Sequence, residues 1–143
     1  MATDRRAEVR WQGSLMEGSG TIVSTTTGRI GEQPVSWPNR TGDSPTATSP
    51  EELIAAAHAA CFSMALAHAL AQGGNAPEEL HTSATVTFQP GEGITKIALT
   101  VEGRVPGLDE DGFRAAAQTA KENCPVSKAL AGVPEISLEA KLV

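Results

Sequence analysis

Positive charge is scarce in this chain. Its 11 lysines and arginines stand against 17 acidic residues, which gives a net charge of −6 and a pI near 5.0. That balance leaves no electrostatic footprint for nucleic acid and no basic amphipathic face for an anionic membrane surface. The stretch MATDRRAEVRW carries charges with no apolar run behind them, so no secretory signal is read there and a cytoplasmic chain is expected. Asn39-Arg40-Thr41 has the form of a glycosylation sequon, inert without a secretory route. Cysteines number only two. A reducing compartment disfavours a permanent bridge between them, and 143 residues bury a core without one. Zinc-type Cys/His spacing is also missing, because His58 with Cys61 gives two ligands where a site needs three or four. No internal repeat or low-complexity tract interrupts the chain, and one domain spanning residues 1–143 is the expectation.

Charge is absent from residues 53–71, and nearly half of them are alanine. Two histidines and a serine make the stretch only weakly apolar, and basic anchors are missing at both ends, so it reads as a helix at the centre of a soluble assembly rather than a membrane span. Its start is well marked: Ser49 suits the N-cap, Pro50 the first helical position and Glu52 the third. Gly73-Gly74 should stop it. Before it, residues 5–14 and 20–27 read as strands, and residues 34–50 as a long loop rich in Pro, Gly, Ser and Thr. After it, HTSATVTFQ and ITKIALTVEGRV alternate as paired strands around Pro90-Gly91-Glu92-Gly93. Asp109 caps a second helix reaching Asn123, Pro125 opens a short third, and EISLEAKLV closes as a strand. The order ββ(β)–α–ββ–αα–β predicts an α+β fold with an antiparallel sheet and a long central buried helix.

The two cysteines occupy contrasting places. Cys61 sits in the apolar helix, where burial raises a thiol pKa and leaves an inert small hydrophobe unless a cation is near. No Lys or Arg occurs between Arg40 and Lys96, so such a cation must come from elsewhere in the fold, and Arg40 is the nearest candidate before the helix. His58 and His68 lie on the Cys61 face, as bases or as ordinary core histidines. Glu51 is ten residues before Cys61, roughly 15 Å along a helix, so it acts at this thiol only from a second copy of the chain. Its place in the first turn is also explained by the helix dipole alone. Cys124 precedes Pro125 at a helix start, a position that suits either a thiolate or a plainly packed cysteine.

The segments SPEELIAAAHAACFSMAL and NCPVSKAL, in this order and with these elements around them, resemble the osmotically inducible protein C and organic hydroperoxide resistance proteins (OsmC/Ohr), and the OsmC branch in particular. The resemblance covers essentially the whole chain. It implies an intertwined homodimer with two interfacial sites and no metal or organic cofactor. It also implies reduction of organic hydroperoxides and hydrogen peroxide by a thiol cycle in stress defence. On that likeness Cys61 is the peroxidatic cysteine, Cys124 the resolving one, and Glu51 the acid that orients an arginine from across the dimer. Arg40 fits that arginine, with Arg29 as the other choice; the organic hydroperoxide branch carries it near Gly18–Gly20, where this chain has none. The implied reductant is a dihydrolipoyl-type or small thiol. A non-catalytic redox sensor or small-ligand-binding dimer using the same cysteines is the alternative.

Overall fold

The computed structural model describes residues 1–143. In chain order its elements are β1 (Ala7–Gln12), β2 (Ser19–Thr25), β3 (Gln33–Val35), α1 (Trp37–Thr41), α2 (Pro50–Gln72), β4 (Glu79–Gln89), β5 (Gly93–Arg104), α3 (Glu110–Asn123), α4 (Pro125–Ala129) and β6 (Glu135–Leu142). They form two compact units, residues 1–53 and 54–143, each holding a three-stranded sheet.

In the first unit β2 pairs antiparallel with both β1 and β3, with a bulge between Glu8 and Val9. The loop expected over residues 34–50 is partly structured: it contains the end of β3 and all of α1. The Ser36 hydroxyl caps α1 by accepting from the Asn39 N–H at 3.3 Å, and Pro38 suits its first turn. Five residues are too few to show a helical period, which is why composition alone read as loop. The start of α2 is as expected, with the Ser49 hydroxyl accepting from the Glu52 N–H at 3.1 Å. At its other end Gly74 takes φ +87° and the Asn75 N–H returns to the Leu70 carbonyl at 2.9 Å, which closes the helix.

In the second unit β4 and β5 pair antiparallel, whereas β6 joins β5 in parallel from Lys96↔Glu135 to Gly103↔Leu142. The antiparallel expectation therefore holds for β1–β3 and for β4–β5 but not for β6. Two helices, α3 and α4, stand between β5 and β6, and such a crossover carries the chain back to the starting end of the sheet. Strand alternation places Ile97, Leu99, Val101 and Gly103 on the buried face of β5. Helical spacing lines up His58, Phe62, Leu66 and Leu70 on α2, and Phe113, Ala117 and Ala120 on α3, and the apolar members form one core with β5. α2 is long and apolar enough to cross a bilayer, yet here its buried stripe is part of that core. Its other face, with Ala56, Ala57, Ala60, Met64, His68 and Ala71, is exposed, and Met64 is 73% exposed.

Gly103 lets α3 approach the sheet. A β-carbon there would lie 2.5 and 2.6 Å from two ring atoms of Phe113, which is wholly buried. Gly103→Ala is therefore expected to lower stability by about 1–3 kcal/mol. The urea midpoint measures this, and an unchanged midpoint would show that the Phe113 ring yields freely.

Candidate active site

Cys124 sits at the junction of α3 and α4. Its N–H still bonds to the Ala120 carbonyl at 2.8 Å, while its own carbonyl accepts from Lys128 N–H at 3.0 Å, so it ends one helix and begins the next. Pro125 makes this sharp corner, since its ring cannot continue α3 but suits the first position of α4. The sulfur is fully buried, and burial by itself pushes the thiol up. The neighbouring Ser127 N–H, the Cys61 thiol, the Ser127 hydroxyl and the Val126 N–H together outweigh that effect and leave Cys124 below the ordinary cysteine value.

Cys61, partly buried on α2, faces the opposite pull. Burial raises it first, the neighbouring Cys124 raises it further, and the Val126 N–H only partly offsets them. The two cysteines predicted to work together thus lie close to one another as free thiols.

His58 lies one turn before Cys61, wholly buried, with Nε2 2.7 Å from the Ser127 hydroxyl. Burial holds its imidazole below the ordinary histidine value, and its Nδ1 has no partner. His68 is exposed and takes no part in this cluster. Ser127 was not singled out from sequence, although it stands inside the NCPVSKAL segment, three residues after Cys124.

The other two predicted residues meet in the first unit. Arg40 Nε lies 3.0 and 3.1 Å from the two Glu51 oxygens, and Nη2 lies 2.7 Å from Oε1. The Glu51 side chain is 8% exposed, so the pair is desolvated on its acidic side. The guanidinium also stacks over Trp37, 5.9 Å from the ring centroid. The expectation that Glu51 reaches this arginine from a second copy is corrected here: both belong to the same chain. The cause is α1, which the sequence did not reveal and which presents Arg40 from its last turn, just ahead of α2. Arg29, the other choice, is exposed at a turn after β2. Beside Arg40 an apolar cavity of about 320 Å³ is lined by Trp11, Leu15, Ile22, Val35 and Trp37 among others.

A sequence model of the OsmC-like protein family matches residues 41–139, more than half the chain and including Glu51, Cys61 and Cys124. This chain belongs to the OsmC-like family. Arg40 lies one residue outside the matched span. Among relatives of this OsmC-like chain, Peroxiredoxin OsmC of Escherichia coli (strain K12) is 42% identical over 145 residues, covering 99% of each protein. Organic hydroperoxide resistance protein OhrB of Bacillus subtilis (strain 168) is 34% identical over 73% of this chain and 77% of its own length. The crystal structure of an organic hydroperoxide resistance protein OsmC from Legionella pneumophila superposes with a TM-score of 0.71 at 27% identity, covering 95% of this chain and 96% of that one.

Proposed function

We propose that this OsmC-like chain is a thiol-dependent peroxidase that reduces organic hydroperoxides, and hydrogen peroxide, with Cys61 as the attacking sulfur and Cys124 as the resolving one. The closeness of the two free thiols carries this reading, and the names of its relatives agree with it. The Cys61 thiolate attacks the terminal peroxide oxygen. An S–O bond forms, the O–O bond breaks, and the alkoxide leaves and takes a proton as alcohol. Cys124 then condenses with the sulfenic acid to give a disulfide and water. A dihydrolipoyl-type dithiol or small thiol restores both cysteines by exchange. The cycle requires no metal or organic cofactor, and its thiol supply suits a reducing compartment such as the cytoplasm.

Burial pushes the Cys61 thiol up, so ionised Cys61 needs a cation. The Arg40–Glu51 pair supplies it from a second copy. Glu51 is ten residues of helix away from Cys61 of its own chain, roughly 15 Å, and Arg40 is tied to Glu51. The exposed alanine and methionine face of α2 and the exposed Val9, Trp11 and Leu15 support a homodimer, because apolar faces of this kind call for a partner. In that dimer the cavity beside Arg40 takes the organic tail of the substrate.

The test is turnover. With a dithiol reductant the protein is expected to consume many equivalents of an alkyl hydroperoxide, faster than with a monothiol. Consumption of one equivalent and no more, across dithiol and monothiol reductants, would mark a redox sensor and overturn the peroxidase reading.

A further inference from the structure

The buried His58 is unexplained by packing alone, because a polar ring at the centre of a core with one unpartnered nitrogen costs stability. We infer that His58, acting through Ser127, is a positioning residue for the resolving sulfur: its Nε2–H fixes the Ser127 hydroxyl so that the hydroxyl proton points at Cys124 and holds that sulfur as the attacking anion. The inference rests on the peroxidase reading and deepens its second step.

The direction of the chain follows from Nδ1. A buried N–H without an acceptor is rarer in folded proteins than an acceptor without a donor, so the proton belongs on Nε2 and Nδ1 is left as a bare lone pair. Nε2–H must then donate to the Ser127 oxygen 2.7 Å away, which leaves the hydroxyl proton for the next acceptor. That acceptor is Cys124, which stands at the N-cap of α4 three residues before Ser127 and whose thiol the Ser127 side chain helps to lower. Hydrogen bonds aligned in this way polarise one another and strengthen the last of them, the one to sulfur. The titratable groups brought to Cys124 are Cys61 directly and His58 through Ser127.

The device matters once the peroxide has reacted. While Cys61 is an anion, Cys124 keeps its proton. After Cys61 becomes a neutral sulfenic acid, Cys124 can release that proton to the departing alkoxide or to solvent, and the Ser127 hydroxyl receives the new anion. The Cys124 sulfur then attacks the Cys61 sulfur. The S–S bond forms, the S–O bond breaks, and hydroxide leaves and is protonated to water. The peroxide already consumed is the oxidant, so the balance needs no other.

Full-length H58L, H58Q and S127A proteins test this in a single turnover with one equivalent of tert-butyl hydroperoxide and no reductant. Dimedone trapping follows the sulfenic acid, and free-thiol loss follows the disulfide. In H58L and S127A condensation is expected to slow about tenfold relative to attack, the loss of one hydrogen bond to a charged sulfur. H58Q, which keeps an N–H donor at the place of Nε2, should stay near the native ratio, and the H58L/S127A double variant should be no slower than either single one. A native ratio in H58L or S127A overturns the inference. So does equal slowing in H58Q and H58L, because His58 would then supply only packing. A wild-type protein that forms no sulfenic acid overturns the peroxidase reading instead. The inference then stands or falls on ultraviolet thiolate titration of Cys124 in the Cys61→Ser background, where H58L must raise the midpoint and H58Q must not.

Discussion

Cys61→Ser protein is expected to lose hydroperoxide turnover by at least about a thousandfold, the scale on which enzymes lose activity when the nucleophile is removed. A serine hydroxyl is hardly ionised near neutrality and cannot pass through the sulfenic and disulfide states on which the cycle depends. Cys124 cannot take over, because it is fully buried whereas Cys61 is partly exposed. Cys124→Ser should behave differently. Its first equivalent of peroxide reacts, but the sulfenic acid finds no buried thiol and either persists, to be trapped by dimedone, or oxidises further. Steady-state peroxide consumption under a dithiol separates the two variants. Normal turnover by the Cys61→Ser protein would remove the peroxidase reading altogether, and normal disulfide formation by the Cys124→Ser protein would remove the resolving role.

Much of this fold was legible because its signals are local. Ser49-Pro50 and Gly73-Gly74 bracket α2 through cap chemistry that acts within one turn, and Asp109 begins α3 in the same way, its carboxylate accepting from the Gly112 N–H at 2.7 Å. The direction of β6 was not legible. Alternation says which face of a strand is buried and nothing about which way it runs, and the crossover helices decide that. The short α1 escaped for want of length, and with it went the reason that Arg40 and Glu51 meet in one chain. The meeting of Cys61 and Cys124 rested on resemblance to a family, since no periodicity joins an α2 position to the α3–α4 corner. The His58–Ser127 bond spans 69 positions, and a lone serine in a short helix gives no sign of its partner.

Arg40→Ala is expected to slow peroxide attack by about two to three orders of magnitude, comparable with removing one preorganised electrostatic contact from an active site. Within a single chain burial and the neighbouring Cys124 push the Cys61 thiol up, so on the proposed cycle its ionised form depends on a cation delivered to it. Arg40 suits that role because Glu51 grips its Nε and Nη2 and Trp37 supports its plane, fixing where the guanidinium points. Glu51→Gln should be milder, since an amide still accepts from the guanidinium but no longer carries the opposing charge. Arg29→Ala should leave the rate near native, and a loss there without a loss at Arg40 would move the role to Arg29. Mixing subunits tests the geometry directly. If Arg40 serves a second copy, equal amounts of Arg40→Ala and Cys61→Ser chains allowed to exchange should regain about a quarter of the native rate, because half the twofold dimers are mixed and each mixed dimer holds one intact site. If Arg40 served the Cys61 of its own chain, every site in the mixture would lack either the sulfur or the guanidinium, and mixing would restore nothing.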